Sequence, residues 1–202
     1  MRITEVKRVR GSLYRVWLDD EDAGSVDVRT WDESGWKLDG DISEEEWEAL
    51  CERSARNRAK NKALYLLSLR DRSRGELFGK LKEEAGEDIA RDTVEQMEAY
   101  GFLDDERLAA RWAEDLSGRK CYPRRRVAQE LVARGFTRDT AQEAADAIET
   151  EDHVLALAML RKRYYNKMTS EDGRRKTAAA LARYGFPREA IRRASDNWEN
   201  ED

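Results

Sequence analysis

Two prolines, two cysteines and one histidine among 202 residues remove several classes of protein at the start. Cys51 and Cys121 have no recognisable metal or redox spacing. His153 has no second histidine, paired cysteine or nucleophile-turn serine with which to build a metal site or a triad, so a place at a helix start is its better reading. No glycine-rich loop of the phosphate-cradling form is present. No stretch approaches the ~18 apolar residues that cross a bilayer, and MRITEVKRVRG lacks the apolar run of a secretion signal. Asp104 and Asp105 are adjacent acids, but neighbours on a helix do not face each other, and capping accounts for Asp104. Cys121 beside Lys120 would gain some thiolate character, yet no histidine stands near it as a base. The expectation is a cytoplasmic protein with reduced thiols and no membrane contact. No enzyme chemistry, cofactor or metal is expected either.

What the chain has is charge. Charged residues make up 40% and hydrophobic ones another 40%, a balance suited to thin, exposed helices around several small cores. Six Trp and seven Tyr argue against wholesale disorder. The formal net charge of -5 hides an asymmetry. From Leu18 to Glu52, fourteen acids face only Arg29 and Lys37; from Arg53 to Lys82, ten bases face only Asp71 and Glu76. Opposed segments of this kind suggest a polyanion or an oppositely charged partner surface.

The first forty residues read as strands, at Ile3–Val6, Leu13–Leu18 and Val26–Trp31, with Asp20–Gly24 as a turn. So small a sheet needs support from the helices. Ser43 with Glu46 is a capping box opening a helix through Trp47 and Leu50, and 53–61 reads as a basic, solvated helical connector. Three similar helical units follow. In 62–103, Ala63, Leu64 and Leu67 share a face, Ser73 with Glu76 forms a second capping box, Leu77 and Leu81 make a stripe, and Val94 and Met97 point inward. Tyr100-Gly101-Phe102 is a stop in which the phenylalanine folds back on the last turn, and Asp104 caps the next helix. In 104–149, Leu108, Trp112 and Leu116 mark a helix ended by Gly118. Pro123 starts one carrying Val127 and Leu131, and after Gly135-Phe136 Thr137 caps a third. In 150–196, Leu155 and Met159, then Thr177 and Leu181, then Ile191 and Ala194 repeat the pattern around Gly185-Phe186. Gly135 and Gly185 stand fifty residues apart and Gly86 forty-nine before Gly135, the period of stacked helical units. The acidic tail 197–202 is expected to fray.

Ile3-Thr4 opening a sheet, Ala63-Leu64-Tyr65-Leu66-Leu67 before Arg72-Ser73-Arg74-Gly75-Glu76-Leu77, then Gly101-Phe102-Leu103-Asp104-Asp105-Glu106-Arg107-Leu108-Ala109 and finally Arg134-Gly135-Phe136 resemble the RecX regulators of the bacterial recombinase RecA. The first repeat departs from that pattern at Gly86, which is followed by Glu87 and not by an aromatic residue. The resemblance implies a mainly all-α fold, with tandem three-helix repeats in an elongated, curved array behind a small N-terminal antiparallel β module. It also implies a monomer that binds the RecA–DNA filament and restrains its growth, ATP hydrolysis, strand exchange and repressor cleavage.

Two basic clusters are the candidate contacts. Arg119, Lys120, Arg124, Arg125 and Arg126, with Arg134 and Arg138 near, surround a proline-led helix start, where free amides also favour anions. Arg161, Lys162 and Arg163 with Lys167, Arg174, Arg175 and Lys176 enclose Tyr164 and Tyr165, rings able to stack on nucleotides but as easily core. A solvated helix face is the plain alternative for either cluster. The partner that the resemblance implies is the recombinase filament, with single- or double-stranded DNA as a further expected contact. The second reading is a sequence-tolerant DNA-binding protein of helix-turn-helix-like units with no recombinase partner; a purely structural scaffold is the third.

Overall fold

The computed structural model describes residues 1–199. Among them lie a three-stranded sheet and ten α-helices, and the chain divides into two compact units. The first is Met1–Asp71 with Leu77–Phe102; the second is Arg72–Glu76 with the chain from Leu103 onward.

An antiparallel meander opens the first unit, β1 (Ile3–Val9), β2 (Leu13–Leu18) and β3 (Glu21–Asp27), in that spatial order. The third strand starts earlier than the alternation predicts. Asp19 and Asp20 have φ of 49° and 68°, a two-residue turn whose twist suits a hairpin, so Glu21 and Asp22 enter the strand and Asp22 pairs with Arg15 across it. The predicted strand through Trp31 is instead a helix after Asp27, α1 (Val28–Ser34). Asp27 is the reason: its carboxylate accepts from the Thr30 amide at 3.0 Å, and a satisfied cap outweighs the β-propensity of Val28 and Thr30.

The sheet leans on α2 (Glu44–Leu69), whose Trp47 and Leu50 complete a core with Ile3, Val16, Leu18, Val26, Trp31 and Ile42. The Ser43 box is closed in both directions, with the Glu46 amide 3.2 Å from Ser43 Oγ and the Ser43 amide 2.9 Å from the Glu46 carboxylate. The 53–61 segment is no separate connector. It is the middle of one 26-residue helix that buries Ser54, Ala59, Ala63 and Leu66 in turn, and Ser54 Oγ accepts from the Asp27 amide at 2.7 Å. A helix with buried residues at helical spacing throughout has no reason to break at 61. Leu77 and Leu81 of α3 (Arg74–Ala85) and Ala90, Val94 and Met97 of α4 (Glu87–Ala99) are buried. Gly101, at φ 75°, closes α4, and the Phe102 amide donates to the Met97 carbonyl at 2.9 Å. The Phe102 ring does not cover that turn; it stays 55% exposed and meets Tyr100 edge-on at 6.4 Å.

In the second unit, α5 (Asp105–Lys120), α6 (Arg124–Val132) and α7 (Arg138–Asp146) enclose Leu108, Ala113, Leu116, Val127, Leu131 and Phe136. Asp104 and Thr137 cap α5 and α7. Gly118 does not end α5, because nothing there requires a left-handed residue; the helix runs to Lys120 and buried Cys121 takes that conformation at φ 56°. Beyond them α8 (Asp152–Met159) passes into a π-helical turn (Leu160–Tyr164) and a 3₁₀ turn (Tyr165–Lys167), then α9 (Glu171–Tyr184) and α10 (Arg188–Glu199). Leu155, Met159, Leu160, Leu181, Phe186 and Ile191 form their core. The expected fraying from 197 is not seen as far as Glu199, where α10 ends; Trp198 packs against Tyr165 at 5.3 Å. Residues 200–202 of the expected acidic tail lie outside the described residues.

Candidate functional site

Three of the sequence stretches that carry the family resemblance meet in the second unit. Ser73 Oγ accepts from the Glu76 amide at 3.1 Å and donates to the Arg134 carbonyl at 2.5 Å, while the Arg74 amide donates to the Asp105 carboxylate at 2.9 Å. The Glu76 carboxylate bonds the buried Arg72 guanidinium. The two backbones touch through glycines. A Cβ on Gly75 would lie 2.3 Å from the Gly135 carbonyl oxygen, and one on Gly135, itself at φ 89°, 2.6 Å from the Glu76 nitrogen. The glycines are thus required by close approach, and this junction holds the turn between α6 and α7 from behind.

The first basic cluster does not act as one patch. Arg124 is turned into the fold: its Nε and Nη2 donate to the Ile148 carbonyl at 3.2 and 2.6 Å, and its amide to Asp152 at 3.2 Å. Arg126 and Arg134 share the carboxylate of Glu130, at 2.7 and 3.4 Å. Arg119 pairs with Asp115 at 3.1 Å. Arg125 and Arg138 are exposed and have no ion-pair partner among the described residues.

Part of the second cluster joins the first. Lys162 Nζ donates to the Arg119 carbonyl at 2.8 Å, and the Arg163 guanidinium lies 5.8 Å over the Tyr184 ring while donating to its hydroxyl at 2.9 Å. Tyr184 stands 6.0 Å from Tyr122, over whose ring Lys120 and Arg126 both sit at 5.7 Å. The π-helical turn carries Arg161, Lys162 and Arg163 as consecutive exposed residues. Arg174, Arg175 and Lys176 start a different helix, α9; Arg175 and Lys176 are held by Asp172, whose carboxyl is kept below its ordinary value first by the Lys176 bond and then by Arg175. Tyr164 is half-buried against the α8–α10 core with Lys167 over its ring, and Tyr165 is 61% exposed.

Tyr122 and Tyr184 are the residues that the sequence did not single out. Each follows a helix or ends one at a turn, beside a residue with positive φ, Cys121 and Gly185. An aromatic residue at such a turn between basic runs is the signal that could have found them. Next to Lys120 is a groove of about 280 Å³ walled by Trp112, Asp115, Leu116, Arg119, Lys120 and Arg134, with the Arg134 guanidinium 5.5 Å over the Trp112 ring. Lys120, Lys162 and Arg163 have no carboxylate partner among the described residues. Cations fixed by rings and a carbonyl keep their charge uncompensated, so this is where an external anion gains most.

His153 lies 2.9 Å from the Glu151 carboxylate and 3.4 Å from Arg193. Among the described residues no group of His, Cys, Asp and Glu could hold a metal ion, and no helix is long and apolar enough to cross a membrane.

Residues 59–97 match the first three-helix domain of RecX, and residues 104–144 match the second. The regulatory protein RecX of Clostridioides difficile is 28% identical over 170 residues, 82% of this chain and 80% of its own length. That of Caldanaerobacter subterraneus is 28% identical over 196 residues, 96% and 98% of the two chains. That of Mycobacterium ulcerans is 33% identical over 141 residues, 67% and 81%. In fold, the chain superposes on a crystal structure of regulatory protein RecX with a TM-score of 0.68 at 19% identity, covering 96% and 98% of the two chains. RecX from Lactobacillus salivarius gives 0.64 at 17%, covering 72% and 97%. Family stretches converging on one junction, matches to both three-helix domains and relatives aligned along most of their length together make this chain a member of the RecX family of regulatory proteins.

Proposed function

We propose that this protein binds the filament of RecA recombinase on DNA and inhibits it, limiting filament growth, ATP hydrolysis, strand exchange and repressor cleavage, as a cytoplasmic modulator with no catalytic residue of its own. The single observation that carries the reading is the set of cations on the second unit, Lys120, Arg125, Lys162 and Arg163, that no carboxylate of the described chain neutralises. In a chain of net charge -5, such a local concentration of free positive charge favours a strongly anionic partner, and a nucleoprotein filament is one. Arg119, Arg126, Arg161, Arg174, Arg175 and Lys176 extend the surface, and Arg124 supports it from within.

The test is ATP turnover by the recombinase on single-stranded DNA. Substoichiometric amounts of this protein should lower turnover, and the Lys120→Glu, Lys162→Glu, Arg163→Glu variant should need about tenfold more protein for the same effect, as expected for three lost charge contacts. Unchanged turnover together with no co-sedimentation with the filament would end the proposal. The cations held against tyrosine rings also favour, as a second reading, binding to DNA without the recombinase.

A further inference from the structure

β1 is an edge strand, since the sheet order gives it β2 as its one strand neighbour. Its outer side is covered at the start. Arg2 bridges to Asp41, the Ile3 amide donates to the Gly40 carbonyl at 2.9 Å, and the Ile3 carbonyl accepts from the Asp39 amide at 2.9 Å. Beyond Ile3, among the described residues, no further backbone–backbone bond reaches the strand from outside the sheet, and Lys7, Arg8 and Val9 are exposed. Open backbone of this kind is a template for another strand. Two devices that blunt such an edge are missing where it is open: β1 contains no proline, and its bulge lies between Ile3 and Glu5, at the covered end. From Glu5 to Val9 the strand pairs with β2 in unbroken register, Glu5 with Trp17 through Val9 with Leu13.

Side chains decide which strand fits. Opposite residues of an antiparallel pair lie on one face of the sheet. When two copies of one strand pair about a two-fold axis with their buried faces on the same side, the axis therefore passes through a residue that faces itself. An axis at Glu5, Lys7 or Arg8 sets like charges opposite each other. Val6, apolar and packed on the core side, carries no such penalty. About Val6, Glu5 of each copy faces Lys7 of the other, and Arg8 faces Thr4. Glu5 and Lys7 already attract within one chain, at 2.5 Å, on the solvent face where Lys7 also lies 5.2 Å over the Trp17 ring. Pairing adds two such attractions across the axis. Charges on an edge strand ordinarily keep a neighbour away; here their order makes the strand complementary to itself in one register. We propose that the β1 edge pairs with the β1 edge of a second copy of this chain, antiparallel and centred on Val6, joining two meanders into one sheet. The pairing goes beyond the monomer that the family resemblance implies. One short strand buries far less surface than a permanent dimer needs, so the association is weak and depends on concentration.

Sedimentation equilibrium of the full chain over a concentration series tests it. The parent should show a reversible monomer–dimer equilibrium. Glu5→Lys and Lys7→Glu should each raise the dissociation constant about tenfold, because two favourable cross-strand charge pairs become two like-charge pairs. The double variant Glu5→Lys, Lys7→Glu reverses both signs and should dimerise like the parent. An equimolar mixture of the two single variants should also associate, as a mixed dimer. Rescue of this kind separates lost pairing from lost folding, and circular dichroism melts of each variant confirm that all of them fold. Three results would each overturn the proposal: a monomer at every concentration up to ~1 mM, single variants that dimerise as well as the parent, or no recovery in the double variant and the mixture. The test needs no recombinase, so its failure leaves the filament reading untouched.

Discussion

At the scale of single residues, Gly135 and Gly101 separate two reasons for glycine. Both have positive φ, but a Cβ on Gly101 meets nothing within 4 Å whereas one on Gly135 runs into Glu76 and Ser73. Gly101→Ala should cost only the left-handed strain, about 1–2 kcal/mol. Gly135→Ala adds overpacking against backbone that cannot yield, for about 2–5 kcal/mol in total; urea unfolding of the two variants checks the difference. Arg124 makes a similar point about charge. In the sequence it is one of five bases around Pro123, but its guanidinium serves the Ile148 carbonyl. Arg124→Met should therefore lower stability by about 1–3 kcal/mol, the cost of a buried acceptor left without its donor. Its effect on filament inhibition, measured below the unfolding temperature, should be smaller than that of Lys162→Glu. The residue types of the site were legible in the chain; which of them faced outward was not, because each arginine's partner comes from another turn or another helix.

Elements were read best where their ends are chemically marked. Ser43, Asp104 and Thr137 cap the helices they were expected to cap, since a side chain accepting from an amide three residues on is a local interaction. Ser43→Ala should destabilise the protein by about 0.5–2 kcal/mol, seen as a lower midpoint in thermal unfolding. The same box predicts a pH effect. The Glu46 carboxyl is held below its ordinary value first by the Ser43 amide and then by the Ser43 hydroxyl. A carboxyl whose folded value is depressed contributes stability that is complete above its unfolded value, ~4.3, and is lost as pH falls through the lower folded value. Glu87, held down by Lys82, and Asp172 act in the same sense. Stability should fall as pH drops below about 4, and Ser43→Ala should flatten part of that fall in a series of melts across the range. Besides α1, which replaced the end of a predicted strand, two elements escaped the sequence. The third strand was displaced because its turn rests on two non-glycine residues at positive φ, Asp19 and Asp20, and the π-helical turn leaves no trace in a 3.6-residue pattern.

For the whole molecule, inhibition of recombinase ATP turnover should decline as salt rises, because the proposed contacts are exposed charges that ions screen; inhibition independent of ionic strength would point to apolar contacts instead. The sequence by itself determined the mainly helical architecture, the small sheet before it, the glycine–aromatic stops and the concentration of bases in the second unit. Each of these follows from local propensity, capping or composition, interactions that span a few residues. Tertiary structure alone decided that Gly75 meets Gly135 and that Arg124 turns inward. It also decided that the end of α5 and the π-helical turn, some forty residues apart in the chain, place Lys120, Lys162 and Arg163 around Tyr122 and Tyr184. Those outcomes depend on the packing of separate helices around shared cores, which fixes neighbours that no local pattern specifies.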